Sequence, residues 1–565
     1  MNGVGVRVVQ RRPELGWRAV GARLLTVLAA LLVLLALTTP DRLQELGPAA
    51  FVRLPLEALA FLAVVLALPP SLGRVRATLA LAAGIVLGLT AVFKLLDLGF
   101  LEALNRPFDA LIDWRYAGSL VELVRDSFGN ELGTMLLVVA AVAAVALLVL
   151  LPLSVLRVTR VAARHRGPAA KTVAALASLW LVLAVLDVRG GAGTVASRDT
   201  AGYMYGQVSR VPSELRDQRE FAEAAETDPL RQVQAHELLT GLRGKDVLFV
   251  FVESFGRVAV EGSSFAPEIN EVLASGTEQL EKAGFASRSA FLTSPTFGAL
   301  SWLAHATLQS GLWVDSQQRY DVLVTSSRLT LSQLFGRAGW RTVADVPANT
   351  RDWPQGAFYR YDHLYDSRNV GYEGPRFGYP TMPDQYTLDA FHRLELAQHR
   401  RRPVMAEIDL ISSHAPWSRT PRMIDQSQVG DGSVYDGMPE QLPSEKDIWP
   451  SPQRVRAAYG ESIEYSLNAL VSFMTTYGND DLVVVMLGDH QPATIVSGED
   501  AGRDVPVAIV ARDPAVLDVV SDWRWSEGLR PDPDAPVWRM DAFRDRFVAA
   551  FGPSGKTGRR AASPR

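Results

Sequence analysis

The chain of 565 residues contains no cysteine. Disulfides, thiolate metal sites and a cysteine nucleophile are therefore all excluded. A basic surplus is missing as well: 57 Lys and Arg face 61 Asp and Glu, for a net charge of -4. No surface suited to nucleic acid stands out, and the Arg-rich patches flank apolar runs instead. After the first apolar run, Thr38-Thr39-Pro40-Asp41 lacks a small-residue cleavage pattern, so that run is expected to stay as an anchor.

What the sequence does have is long apolar runs near its start. Five occur, at Val20–Leu37, Phe51–Leu68, Ala77–Phe93, Leu132–Leu153 and Val173–Leu186. Each spans or nearly spans a hydrocarbon core about 30 Å thick, with the second, carrying Arg53 and Glu57, the weakest. Arg7, Arg11, Arg12 and Arg18 precede the first run, Arg74 and Arg76 follow the second, and Arg157, Arg160, Arg164, Arg166 and Lys171 follow the fourth. The positive-inside rule places these segments in the cytoplasm. Five spans then put everything after Val188 outside, in a multi-pass protein of the plasma membrane. In the loop between Lys94 and Glu131, Leu101, Leu104, Phe108, Leu111 and Trp114 recur at helical spacing around Pro107. This predicts either an amphipathic helix in the outer interface or a short helix packed on the bundle.

The expected organisation is a membrane domain over 1–188, a linker with surface helices over 189–245, a catalytic domain over 246–552 and a disordered tail over 553–565. Strands are predicted at Val247–Val252, Ser287–Leu292, Thr342–Asp345, Val404–Ile411, Leu482–Leu487 and Val505–Val510, with helices at Arg328–Ala338, Thr387–His399 and Arg454–Tyr477. Their alternation argues for a largely parallel sheet covered by helices on both faces.

Two of these strands carry the chemistry. Val247–Val252 is a run of six apolar residues that ends directly in Glu253. Leu482–Leu487 ends in Gly488-Asp489-His490, where Gly488 permits a tight turn and the next two residues offer an oxygen and an imidazole. Ligand sites in open α/β sheets lie outside the carboxyl ends of strands, so these groups are placed to hold a metal. Glu253 taken alone also reads as a cap. Ser301 opens a predicted helix, Ser301–Ser310, after a turn marked by Pro295 and Gly298. Free amides and the helix dipole there suit a phosphate and an ionised hydroxyl, although a serine at that position also serves as an ordinary N-cap.

Glu253 after a buried strand, a hydroxyl at a helix start, Ser413-His414-Ala415-Pro416 and Gly488-Asp489-His490 together resemble the alkaline phosphatase superfamily. With the N-terminal spans, the chain resembles the lipoteichoic acid synthase group of phosphoglycerol transferases. The resemblance implies an α/β alkaline-phosphatase-like extracytoplasmic domain behind a helical membrane bundle. It also implies one divalent metal, manganese first and zinc or magnesium as alternatives, bound by Glu253, Ser301, Asp489 and His490. Ser301 would also be the nucleophile; Thr296 is the second choice, because the residues after Ser301 depart from the family pattern. His414 matches the family's substrate-phosphate histidine and can protonate a leaving alkoxide. Arg351 and Trp353 match a headgroup-binding segment. His305, one turn from Ser301, is left open between a site role and packing, and Asp384 is a further pocket candidate.

The expected reaction is attack of Ser301 on a lipid phosphodiester, followed by transfer of the phosphoryl-alcohol to an envelope glycan or lipid. Phosphatidylglycerol is the donor by resemblance. Hydrolysis by a phosphodiesterase or a sulfatase of the same fold is the alternative, although Ser294-Pro295-Thr296 lacks the sulfatase Cys/Ser-x-Pro-x-Arg frame. A non-catalytic envelope protein is the remaining one.

Overall fold

A computed structural model describes residues 17–553, except 43, 44, 111, 119, 120, 122–129, 191 and 192. Arg7, Arg11, Arg12, Leu111 and the tail beyond Pro553 lie outside the described residues. Its contacts divide the chain into two units. One comprises 1–101, 107–111 and 117–213; the other comprises 102–106, 112–116 and 214–565.

The first unit is built from helices α1 (Trp17–Thr38), α2 (Leu56–Ala67), α3 (Gly73–Leu104), α4 (Asn130–Arg164) and α5 (Arg166–Val185). Among the described residues four helices are long and apolar enough to cross a membrane; α2 is not one of them. Its 12 residues rise about 18 Å, short of the hydrocarbon thickness. The expected span Phe51–Leu68 is thus only partly helical, because Pro55 precedes the helix and Pro69-Pro70 follows it. Close packing orders the bundle: a Cβ on Gly84 of α3 would run into the Pro152 backbone of α4. Lys94 Nζ of α3 donates to Thr39 O just beyond α1 at 2.8 Å, so the end of α1 lies against the later part of α3. Arg166 at the start of α5 donates to Leu66 O in α2 at 2.8 Å. The single amphipathic helix expected across Leu101–Trp114 does not form among the described residues. α3 instead continues to Leu104, Pro107 breaks the pattern, and Asp113–Tyr116 makes one 3-10 turn.

In the second unit nine strands form one sheet: β1 (Asp246–Val252), β2 (Ala286–Thr293), β3 (Arg341–Asp345), β4 (His363–Tyr365), β5 (Val404–Leu410), β6 (Leu482–Gly488), β7 (Asp504–Ala511), β8 (Ser526–Glu527) and β9 (Val537–Arg539). Their order is β8-β2-β7-β6-β1-β5-β3-β4, with β9 also on β2. From β6 to β4 every pairing is parallel. On the other side β7 runs antiparallel to both β6 and β2. The expectation of a largely parallel sheet holds for the half that carries Glu253 and His490.

All seven residues of β1 are buried, the unbroken run of a strand covered on both faces. Leu248, Val250 and Val252 enter one core, packed under α7 (Ala266–Lys282) and α10 (Pro452–Tyr477). Val247, Phe249 and Phe251 enter the other. Each such side chain contributes roughly 1.5–3 kcal/mol of burial. This rigid double-sided packing fixes where the next residue, Glu253, emerges.

Candidate active site

The parallel pairing of β1 with β6 brings Val252 level with Gly488, so Glu253 and Asp489 leave the sheet side by side. Gly488 is the last strand residue, and its φ is not positive. Its glycine is required by proximity rather than by a turn: a Cβ there would collide with the carbonyl oxygen of Phe255. Ser254 takes a left-handed conformation, φ 57°, which bends the chain away behind Glu253. Ser254 Oγ and Ser413 Oγ donate to Glu253 Oε1 and O at 2.8 and 2.6 Å.

Ser301 is the first residue of α8 (Ser301–Ser310). Leu300 before it is held at φ 72°, an unfavourable value for a branched side chain that aims the serine out of the turn. Ser301 Oγ donates to Glu253 Oε2 at 2.9 Å and lies 3.2 Å from His490 Nε2. His490 Nδ1 faces Gln491 O at 2.8 Å, an acceptor only, so Nδ1 carries the proton and Nε2 turns a lone pair into the site. Asp489 Oδ1 is used by the amides of Ser254 and His490, both at 2.7 Å. Its Oδ2 is buried and, among the described residues, has no hydrogen-bond partner.

An orphaned carboxylate oxygen, an imidazole lone pair and the Glu253 carboxylate, with ligand atoms within 4.8 Å of one another, fit a divalent cation. The electrostatics agree. Burial and the Glu253 charge push Asp489 up to about 6, the response of carboxylates crowded together. Burial would raise Glu253 too, but its interactions with the nearby His414 and His490 hold it below its ordinary range.

The other predicted residues take different places. His414 is close enough to act electrostatically on Glu253, and burial lowers it below its ordinary range against the pull of that carboxylate. Tyr379 stacks on its ring, centroids 3.7 Å apart. His305 pairs with Glu407 and Asp409 on β5 rather than with Ser301. Trp353 begins an aromatic ladder through Tyr359 and Tyr361, and Arg351 is exposed on the same loop. Thr296 is buried, its amide bonded to Ser294 Oγ at 3.2 Å and its hydroxyl without a hydrogen-bond partner among the described residues. Asp384 does not face a pocket. It is fully buried at the start of helix α9 (Asp384–Phe391), and its two oxygens accept from Ser412 N at 2.9 Å and Ser466 Oγ at 2.6 Å. Its carboxylate ties the loop after β5 to α10.

Sequence reasoning missed Tyr379, Glu407 and Asp409. Tyr379 carried no local signal. Glu407 and Asp409 did: two acids two residues apart in the apolar strand Val404–Leu410 share one face of the sheet.

A strand-end carboxylate, a helix-start hydroxyl and a strand-end Asp-His pair thus come together at the carboxyl ends of parallel strands. Residues 245–504, just under half of the chain, match the family Sulfatase. Among solved structures, the lipoteichoic acid synthase LtaP from Listeria monocytogenes is 16% identical over 48% of this chain and 66% of its own, with a TM-score of 0.34. This chain thus spans just under two thirds of that one. A protein in the alkaline phosphatase superfamily from Vibrio parahaemolyticus is 14% identical over 60% and 75%, with a TM-score of 0.36. The Streptococcus pyogenes phosphoglycerol transferase GacH, in complex with sn-glycerol-1-phosphate, is 14% identical over 61% and 91%, with a TM-score of 0.33. No curated protein matches the sequence.

Proposed function

We propose that the chain transfers a phosphoryl-alcohol headgroup from a phospholipid, phosphatidylglycerol being the favoured donor, to a hydroxyl of an envelope glycan or lipid through a covalent intermediate on Ser301. The observation that carries this reading is the convergence of Ser301 Oγ on Glu253 Oε2 and His490 Nε2 at a helix start. A divalent cation held by Glu253, Ser301, Asp489 and His490, with manganese the first candidate and zinc or magnesium the others, would lower the pKa of the serine hydroxyl and neutralise phosphoryl charge.

In the first step Ser301 Oγ, its proton released to solvent and regained when the serine is freed, attacks phosphorus, the Oγ–P bond forms and the bond to the diacylglycerol oxygen breaks. His414 gives a proton to the departing oxygen. In the second step the acceptor hydroxyl loses its proton to His414 and attacks phosphorus, which frees the serine. The start of α8 favours the negative phosphate. Arg351 would hold a phosphate oxygen, and Trp353 would wall the headgroup.

The lipid donor follows from topology. α2 and its flanking residues complete a fifth crossing, consistent with the end of α1 lying against the later part of α3. The basic residues of α3, α4 and α5 then face the cytoplasm and the catalytic unit faces outward, away from cytoplasmic nucleotides. Diacylglycerol release from phosphatidylglycerol vesicles by the full-length protein tests the reading. Release by wild type and none by Ser301→Ala would support it; equal release by both would remove the serine from the mechanism.

A further inference from the structure

We propose that His305, Glu407 and Asp409 form a second divalent-cation site, one helical turn along α8 from Ser301 and distinct from the Glu253, Asp489 and His490 cluster. The three side chains offer one nitrogen and two oxygens within 4.8 Å of one another. His305 Nδ1 lies 3.2 Å from Glu407 Oε1 and 3.5 Å from Asp409 Oδ1. A charge-assisted hydrogen bond between such groups closes to about 2.7–2.9 Å. Ligand atoms about 2.0–2.2 Å from a tetrahedral ion instead stand about 3.3–3.6 Å apart. The Asp409 separation falls within that range and the Glu407 separation just short of it.

The surroundings hold these atoms ready. Phe251 stacks on the His305 ring, centroids 3.8 Å apart and planes 15° from parallel, which fixes the direction of Nδ1. Tyr361 Oη and Gln309 Nε2 both donate to Glu407 Oε2, at 2.9 and 2.5 Å, so Oε1 is left for the cluster. Such outer bonds are the usual support of a metal-binding carboxylate. Asp409 Oδ1 is shielded from solvent and, among the described residues, accepts no hydrogen bond. A buried carboxylate oxygen without a donor is costly unless a cation meets it. Four carboxylates, Glu253, Glu407, Asp409 and Asp489, thus line two neighbouring clusters, and two divalent ions balance their charge. The mixed imidazole and carboxylate set suits zinc or manganese better than magnesium.

The test counts ions in the full-length, detergent-solubilised chain after chelation and dialysis against zinc alone or manganese alone. Elemental analysis per chain should give two ions for wild type, one for Asp409→Asn and for Glu407→Gln, and one for Asp489→Asn. One ion in wild type, with the same count in Asp409→Asn, would overturn the proposal and leave His305 in an ion pair. If the variants lose their fold, the wild-type count decides alone. The count is independent of lipid turnover, so it fails or succeeds separately from the transferase reading.

Discussion

The amide of Ser254 donates to Asp489 Oδ1 at 2.7 Å, joining the ends of β1 and β6 across 235 residues of chain. This bond, with that from the His490 amide, uses one carboxylate oxygen and directs the other at the cation site.

Asp489→Asn should therefore have opposite effects with and without metal. Asparagine still accepts both amide bonds, so the fold survives. Asp489 titrates above the ordinary range because burial and Glu253 oppose its charge, so the charge destabilises the metal-free fold at neutral pH. Without metal the variant should melt higher, by about 1 kcal/mol or about 2–4 °C. With metal it should lose the stabilisation seen in wild type. Differential scanning fluorimetry with and without chelator reads both, and a lower metal-free Tm would contradict the electrostatic account.

Asp384 predicts a pH dependence that can be traced to one group. Burial raises its carboxyl to about 6, against about 3.9 in an unfolded chain. The folded state therefore keeps a proton that the unfolded state releases. The associated stability is present below about pH 4 and is lost as pH rises through about 6, by up to about 3 kcal/mol. Asp384→Asn keeps an acceptor for Ser412 N and should flatten that loss, gaining on wild type between pH 4 and 7. Asp384→Ala leaves the buried Ser412 amide unpaired and should cost about 1–3 kcal/mol at any pH. Urea midpoints at pH 4 and 7 check both.

How much of this was legible in the sequence depended on range. Glu253 and Asp489-His490 were readable because each follows an uninterrupted apolar strand, and Ser301 because turn residues precede its helix. Asp384 was not, because its partner Ser466 lies 82 residues away and nothing local distinguishes a buried structural carboxylate from a pocket one. The antiparallel course of β7 was hidden for a similar reason: an apolar run has no direction until its neighbour is known. Asp409 and Glu407 could have been seen, since two acids on one face of a buried strand need a partner. The partner, His305, came from a different element.

Tyr379 should act through His414. Its ring lies 12° from parallel with the imidazole, and so limits the imidazole's rotation. Tyr379→Ala should lower kcat about tenfold or more with little change in KM, whereas Tyr379→Phe should stay near wild type; His414→Ala should cost about 10²–10⁴-fold. Equal loss in the Phe and Ala variants would assign the effect to the phenol rather than to stacking.

Topology can be read independently of catalysis. A phosphatase reporter fused after Val188 should be active outside the cytoplasm, and one placed after Arg76 should be inactive. Activity at Arg76 with silence at Val188 would show that α2 does not complete a crossing and would remove the argument for a lipid donor.

The most direct test of the central claim is intact and peptide mass spectrometry of the full-length protein incubated with phosphatidylglycerol and manganese, in wild type, Ser301→Ala, Thr296→Ala and His414→Ala. A glycerophosphoryl adduct on the Ser301 peptide, absent in Ser301→Ala, retained in Thr296→Ala and slower both to form and to clear in His414→Ala, is the predicted result. An adduct on Thr296, or lipid turnover that persists in Ser301→Ala, would contradict the account.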